Sequence, residues 1–210
     1  MSLDASAVQA FNDLLASHDA IEDPVSFYEQ LVPAGFALLL VVLAAGIRGA
    51  AAVAARRAAV AAGASLALAL ASAHAITLLV SRPRPFVADP SVHLFSAHAA
   101  DSGFPSDHAT AAFAIAGALA LRAPRFALSL LTAAALLAAG RVGLGVHYPT
   151  DVLAGAAIGG GSALALNLPA VRKLLDAATD RVSHGLGGLP GVRHLFPHEL
   201  TTRSRTSDVN

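Results

Sequence analysis

The sequence predicts an all-α membrane protein, a polytopic bundle of about five transmembrane helices with an N-terminal interfacial helix. Of its 210 residues, 55% are hydrophobic and only 13% are charged, which is too apolar for an ordinary soluble domain. The apolar residues gather into five long runs, and the arginines concentrate in alternate loops between them. The length fits a single membrane domain.

The N-terminal region is acidic and precedes the first long apolar run. Residues 5–15 carry apolar side chains at helical spacing, which predicts a short amphipathic helix at the membrane interface. A second short segment, residues 24–32, leads into the first run. Because the N-terminus has no basic stretch, it does not resemble a cleaved signal peptide.

The five apolar runs are the predicted membrane spans. They cover residues 33–47, 58–80, 105–121, 126–142 and 152–168, and several are close to the minimum of about 17 residues for crossing a bilayer. Gly155 and Gly159 have the spacing of small residues at close helix contacts. We therefore divide the chain into a membrane domain, residues 1–168, and a short helix with a polar, flexible tail, residues 169–210.

The basic residues predict which way the bundle faces. They follow the first, third and fifth spans, as Arg48, Arg56, Arg57, Arg122, Arg125, Arg172, Lys173 and Arg181. These three loops lie on one side of a five-helix bundle, which the positive-inside rule makes cytoplasmic. The two remaining loops then face outward.

The charge balance and the lack of cysteine exclude several classes. Basic and acidic residues number 14 each, so no global basic field for nucleic acid is present. The chain has no cysteine, which rules out disulfides and thiolate metal sites. A transporter or channel is unattractive in so short a chain, because no charged residue lies at the middle of a predicted span.

Three polar clusters are predicted to meet at the outward face. They are "SRPRPF" with Arg82 and Arg84, "PSDH" with Ser106, Asp107 and His108, and "GRVGLGVHYPTD" with Arg141, His147 and Asp151. The planar guanidinium of arginine can donate paired hydrogen bonds to phosphate oxygens. A helix N-terminus, such as the one predicted at Ser106, favours a bound anion. An arginine near the membrane, such as Arg141, needs a partner, which a bound anion supplies. The clusters therefore predict a phosphate site.

The histidines add reactive groups to this site. Asp151 follows His147 by four residues, a spacing that brings both side chains together on one helical turn. A carboxylate bonded to one imidazole nitrogen leaves the other as a nucleophile, and His108 then serves as general acid. The alternatives are that Asp151 only caps the last span and that Arg82 anchors the membrane surface.

Taken together, "RP", "PSDH" and "R-x5-H-x3-D" resemble the three signature motifs of the type 2 phosphatidic acid phosphatase superfamily. The resemblance covers residues 77–155 and implies a phosphatase without metal or cofactor that passes through a phosphohistidine. The matching positions are Arg84, Ser106, His108, Arg141, His147 and Asp151. By this resemblance His147 is the nucleophile and His108 the acid. We add Arg82 and Asp107, which neighbour the matching positions, to the predicted phosphate-binding residues.

Two positions depart from the family motifs. Thr77 stands where a lysine is usual, and Gly140 where a serine is usual, which implies weaker activity or another substrate. His74, one turn before Thr77, and Arg82 are the candidate replacement cations. We expect Asp107 to hold Arg84 or a neighbouring histidine, and His93 and His98 to be solvated loop residues.

Within this superfamily, the motif sequences most resemble those of bacterial undecaprenyl-diphosphate phosphatases, and the aspartate at position 107 is the main indication. The resemblance implies removal of the terminal phosphate from a polyprenyl diphosphate at the outer face of the membrane. Phosphatidate, phosphatidylglycerol phosphate and other lipid phosphates stay open as substrates. The alternative outside enzymology is a membrane protein that binds lipid phosphate without turnover.

Overall fold

The computed structural model describes residues 2–95 and 98–187, and it confirms the all-α helical bundle. The helices are α1 (Leu3–Ala16), α2 (Asp19–Val41), α3 (Ala52–Thr77), α4 (Pro85–Ala88), α5 (Asp107–Arg122), α6 (Ala127–Gly143), α7 (Pro149–Leu166) and α8 (Pro169–Gly187). A π-helical turn, Val42–Gly46, follows α2, and 3₁₀ turns, Gly49–Ala51 and Pro124–Phe126, precede α3 and α6. Within the described residues, β pairing is limited to one bridge between Pro83 and Ser102.

Among the described residues, fewer helices have the length and composition of a membrane span than the predicted five. By length and composition, three described helices qualify: Ala20–Gly46, Ala52–Thr77 and Pro124–Gly143. A fourth qualifies if α7 and α8, which are bent by 74° at their junction, form one span. The difference arises at α5, whose 16 residues extend only about 24 Å, less than the hydrocarbon core of about 30 Å.

The first span begins earlier than the sequence predicts. The expected short segment and the first apolar run form one continuous helix, α2, which contains both Pro24 and Pro33. The hydroxyl of Tyr28 donates a 2.9 Å hydrogen bond to the carbonyl of Ala133. This bond fixes α2 against α6 and brings the neighbouring residue, Glu29, into the interior, where it is 6% exposed.

Helix α5 lies at the centre of the bundle, between α3, α6 and α7. Its buried face is built mainly from alanine: Ala109, Ala112, Ala114, Ala116 and Ala118. Such small side chains let neighbouring helices approach closely. On α7, a Cβ at Gly155 would lie 2.6 Å from the carbonyl oxygen of Ser106, and one at Gly159 would overlap the carbonyl oxygen of Thr110. The glycine spacing noted in the sequence therefore serves the contact between α5 and α7.

The N-terminal helix α1 lies across the polar end of the bundle. Its inner face buries Val8, Asn12 and Leu15. The amide of Asn12 donates 2.9 Å bonds to the carbonyls of His93 and Gly143 and accepts the backbone N–H of His93. The outer face keeps apolar side chains exposed, including Leu3 and Phe11, as an interfacial helix requires.

Helix α8 is tied to the opposite end of the bundle by ion pairs. Arg57 of α3 pairs with Asp180, and Arg122 of α5 pairs with Asp176 at 2.6 Å. The predicted short helix after residue 168 therefore continues to Gly187. The predicted flexible tail, from residue 188 onward, lies outside the described residues.

We expect Gly159→Ala to destabilise the bundle, because the added methyl group meets the backbone of α5. Overpacking of this kind costs about 1–3 kcal/mol. The matched control is Gly160→Ala on the same helix, where a Cβ meets nothing within 4 Å and alanine favours the helix. Thermal denaturation in detergent should show a lower midpoint for Gly159→Ala alone. Equal midpoints for the two variants would contradict the close contact.

Candidate active site

The three polar motifs converge on one cavity of about 570 Å³ at the end of the bundle. Its polar lining comprises His74, Thr77, Arg84, His98, Asp101, Ser102, Asp107, His108 and His147. Each motif therefore contributes at least one side chain to the lining. Ser106, Arg141, Asp151 and Arg82 are also predicted site residues, but they lie behind or beside the cavity wall.

His147 is held in one orientation by two hydrogen bonds. The residue is buried in the loop between α6 and α7, with Nδ1 2.9 Å from the carbonyl oxygen of Gly103. Nε2 lies 3.2 Å from Nη1 of Arg84. Because a carbonyl can only accept, we assign the proton to Nδ1, which leaves a lone pair on Nε2. Nε2 therefore has the electronic state of a nucleophile.

The pKa of His147 favours the same neutral state. Burial lowers this pKa from the ordinary value of 6.5, and the charges of Arg141 and Arg84 lower it further. The carboxylate of Asp151 opposes the change but does not reverse it. At neutral pH the imidazole is therefore uncharged and able to attack an electrophile.

Asp151 does not hold His147 in the way its spacing predicts. Its Oδ2 lies 3.8 Å from Nδ1, beyond hydrogen-bond length, and accepts the backbone N–H of Tyr148 at 2.7 Å. Its Oδ1 accepts a 2.6 Å bond from Arg82. The carboxylate caps α7, as the alternative interpretation has it, because the helix start offers free N–H groups. The Gly103 carbonyl takes the direct contact with His147.

Arg84 is fixed next to His147 by acceptors on both sides. Its Nε donates to Asp101 at 2.8 Å, and its Nη1 donates to the carbonyl of Val146 at 3.1 Å. The carboxylate partner is thus Asp101, whereas we expected Asp107 to hold either Arg84 or a neighbouring histidine. The hydrogen bond from Arg84 lowers the pKa of Asp101 below its ordinary 3.8. Asp101 was missed because it lies in the loop between two motifs.

Arg82 points away from the cavity. Its guanidinium donates 2.6 Å bonds to Asp4, Thr150 and Asp151 and stacks 4.0 Å from the ring centre of Tyr148. Asp4 belongs to α1, so Arg82 bridges the N-terminal helix to the start of α7. This placement favours a bridging role over the predicted phosphate contact.

The "PSDH" motif begins α5. Ser106 is fully buried; its side chain accepts the N–H of Ala109, and its own N–H donates to the carbonyl of Asp151 at 3.1 Å. It acts as a helix cap. The next two residues, Asp107 and His108, then lie in the first turn and line the cavity. The motif therefore aims His108 at the site, with Ser106 as its support.

Arg141 lies behind the cavity wall with two partners. Its Nη1 is 3.4 Å from Oε2 of Glu29, and its Nη2 is 3.3 Å from Nε2 of His98. The sequence predicts a bound anion as the partner of this arginine. In the structure, the carboxylate of Glu29, a residue of the chain itself, takes that place. Sequence reasoning missed Glu29, although an acidic residue so close to an apolar run is a signal for burial.

His98 is a cavity residue, contrary to its interpretation as solvated loop. Burial lowers its pKa from 6.5 to about 4, and the charges of Arg84 and Arg141 contribute. A neutral His98 can accept an N–H from Arg141. His93, by contrast, is exposed, as expected. Sequence order cannot separate the two, because both precede the "PSDH" motif in one loop.

The two departures from the family motifs have different surroundings. Thr77 lines the cavity, and its hydroxyl lies 3.1 Å from the carbonyls of Ala73 and Phe104. Of the two candidate replacement cations, His74 lines the cavity and Arg82 does not. At Gly140, a Cβ would overlap Oε1 of Glu29, so the glutamate occupies the space beside this glycine. Among the described residues, no group of three or more potential ligands could hold a metal ion.

We expect His98 to titrate near pH 4, because burial and two guanidinium groups disfavour its cation. The unfolded chain binds this proton more readily, so the free energy of unfolding should fall as pH drops from 6.5 toward 4. Histidine-ring NMR in detergent, with His98→Gln to assign the signal, measures the midpoint. A midpoint at or above 6.5 would contradict the described contact with Arg141.

Comparison with known proteins identifies the chain's relatives. The model of the PAP2 superfamily matches residues 58–172, which run from α3 to the start of α8. Undecaprenyl-diphosphatase BcrC of Bacillus subtilis (strain 168) is 46% identical over 78 residues, 37% of this chain and 40% of the relative. Lipid A 1-phosphatase of Rhizobium etli is 39% identical over 105 residues, 49% of this chain and 42% of the relative.

A putative undecaprenyl-diphosphatase, YbjG of Escherichia coli (strain K12), is 40% identical over 99 residues, 43% of this chain and 50% of the relative. The chain thus spans half or less of the length of each of these relatives. The family match is broader, covers more than half of the chain and includes all three motifs. This protein therefore belongs to the PAP2 superfamily.

Proposed function

We propose that the protein is an integral-membrane lipid phosphatase that acts on undecaprenyl diphosphate, or another polyprenyl diphosphate, through a phosphohistidine. One observation carries the proposal. Nε2 of the neutral His147 lies 3.2 Å from the Arg84 guanidinium at the wall of a cavity that His108 also lines. A nucleophile, an acid and a phosphate-binding cation thus share one space.

In the first step, Nε2 of His147 attacks the terminal phosphorus. A P–N bond forms while the bond to the oxygen of the leaving lipid phosphate breaks, and His108, which takes up a proton when the anionic substrate binds beside it, gives that oxygen the proton. Arg84 and Arg141 offset the negative charge on the phosphoryl oxygens. The imidazole becomes positive, and it is stabilised by the Gly103 carbonyl at Nδ1 and by the charge of Asp151 at 3.8 Å.

In the second step, water hydrolyses the phosphohistidine. His108, now neutral, takes a proton from the water as its oxygen attacks the phosphorus, and the P–N bond breaks. Inorganic phosphate leaves, and His147 returns to its neutral form with the proton still on Nδ1. No metal ion has a part in either step, since two arginines supply the positive charge.

A lipid substrate is supported by the surroundings of the cavity. Leu70 of α3 contributes an apolar wall, and Leu78 and Leu79, just beyond α3, are 74% and 85% exposed. Exposed leucines at a predicted membrane boundary suit contact with lipid chains. Two relatives are named for undecaprenyl diphosphate, and the similarity to lipid A 1-phosphatases makes a saccharide lipid phosphate the second candidate.

The proposed location is the outer face of a bacterial cytoplasmic membrane. The cavity lies at the end of the bundle formed by the loops after α3 and α6. Arg57 and Arg122 lie at the other end, with α8. Because basic residues favour the cytoplasmic side, this arrangement supports an outward-facing cavity.

Phosphate release from undecaprenyl diphosphate in the presence of EDTA tests the proposed chemistry. We expect turnover by the wild type and a loss of at least about 10³-fold for His147→Ala, because the nucleophile is removed. His93→Ala, in an exposed residue of the neighbouring loop, should keep full activity. Full activity in His147→Ala would exclude the phosphohistidine, and loss of wild-type activity with EDTA would exclude the metal-free reaction.

The same assay separates the candidate substrates. Release from a lipid A 1-phosphate, from phosphatidate or from phosphatidylglycerol phosphate, and none from undecaprenyl diphosphate, would keep the chemistry and change the substrate. Binding of all these lipids with no release from any would favour the non-enzymatic alternative.

Labelling of single cysteines tests the orientation, because the natural chain has no cysteine. We expect a membrane-impermeant maleimide added to intact cells to label Ala100→Cys, in the cavity loop, and to leave Lys173→Cys on α8 unlabelled. Both positions are exposed. The reverse pattern would place the cavity on the cytoplasmic side.

A further inference from the structure

Glu29 brings a carboxylate into the interior against Arg141. The two side chains are 4% and 6% exposed, and their contact is a single 3.4 Å approach of Oε2 to Nη1. Charge-assisted bonds of this type are usually about 2.7–2.9 Å and often paired. Oε1 of Glu29 and Nε of Arg141 have no hydrogen-bond partner among the described residues. The pair is therefore incomplete on both sides.

The packing of α2 holds Glu29 at this place. The neighbouring Tyr28 anchors α2 to the carbonyl of Ala133 on α6. Gly140, one residue before Arg141, has no side chain, and the carboxylate fills the space that a Cβ would take. The acid therefore lies against Arg141 because two helices are docked there, and its retreat would leave a charge buried alone.

An arginine held in this way has unused donor capacity. A guanidinium carries five N–H donors, and Arg141 uses one toward Glu29 and one toward His98. His98 lines the cavity, so the second contact lies on the side from which a phosphate would arrive. Glu29 lies on the other side, and its negative charge opposes the entry of a second anion.

We propose that Glu29 is a positioning residue that competes with phosphate for Arg141. It neutralises the arginine while the site is empty, and it weakens the hold of Arg141 on phosphate, which speeds release of the product. The inference rests on the proposed function in one respect, that Arg141 receives a phosphoryl group. In this proposal Glu29 changes the affinity of the site for phosphate, whereas an acidic residue with a purely structural role would affect only the stability of the fold.

Binding of inorganic phosphate to the detergent-purified full chain tests the competition, with calorimetry as the measurement. We expect Glu29→Gln, which keeps the shape and removes the charge, to lower the Kd for phosphate by about tenfold. The matched control is Glu22→Gln on the same helix, whose carboxylate accepts a bond from Ser26 and has no contact with Arg141. This control should leave the Kd unchanged.

Denaturation measurements show whether an altered fold explains the result. Glu29→Gln should lower the thermal midpoint in the absence of phosphate, because Arg141 loses its counter-charge. Phosphate should then raise the midpoint more than it does in the wild type. Should Glu29→Gln fail to fold, Glu29→Asp, which withdraws the carboxylate by one methylene group, should tighten phosphate binding in the same direction.

An unchanged or higher Kd in both Glu29 variants would overturn the proposal, and so would a lack of binding in both variants and the wild type. Calorimetry does not depend on turnover. Failure of the lipid assay with tight phosphate binding by Glu29→Gln would therefore count against the proposed function and leave the competition intact. Turnover of the lipid, together with a phosphate Kd that the Glu29 variants leave unaltered, would support the proposed function and count against the competition.

Discussion

The hydrogen bond from Nδ1 of His147 to the Gly103 carbonyl decides which imidazole nitrogen is unprotonated, and the proposed chemistry of the site depends on it. The carbonyl is itself fixed, because the N–H of Gly103 donates to the backbone carbonyl of Arg82 at 2.8 Å. A Cβ at Gly103 would lie 3.1 Å from Cγ of Arg84. The loop before the "PSDH" motif therefore packs closely on the "SRPRPF" motif. One backbone contact thus couples the first motif to His147 of the third.

A second layer of ionic contacts supports this arrangement from outside. Asp4 of α1 accepts bonds from Arg82 and Thr150, and Arg82 continues to Asp151. The hydrogen bonds from Arg82 and Thr150 outweigh the effect of burial and lower the pKa of Asp4 below 3.8. The N-terminal helix is therefore part of the structural support of the site, and it also contributes an apolar surface at the membrane interface.

Sequence patterns identified the groups that are fixed by local structure. His108 lies in the first turn after a capping serine, and Arg84 lies between two prolines, so their neighbours in the chain determine their placement. Asp101 and His98 were not recognised, and the expected hydrogen bond between Asp151 and His147 is a 3.8 Å contact. Those contacts depend on how distant segments meet: Glu29 and Arg141 are 112 residues apart, and His98 and Arg141 are 43 apart. Spacing along one helix carries no information on such pairs.

The surroundings of α5 have a similar explanation. Hydropathy marks residues 105–121 as a membrane span, but it cannot distinguish a helix surrounded by lipid from one surrounded by other helices. Helix α5 is of the second kind, with alanine on most of its buried face. The sequence therefore predicted its position in the chain and its helical character, and it overstated its contact with the bilayer.

The alanine and glycine interior also limits which amino-acid substitutions the protein can accept during evolution. Glycine is the smallest residue and alanine is the next smallest. Almost every substitution at the centre of α5 or at its contact with α7 therefore adds volume. Compensating exchanges of large for small residues, which let ordinary cores drift, have little scope here. We expect variation to accumulate on the outer surfaces, where side chains such as Leu128 and Leu164 are 81% and 61% exposed.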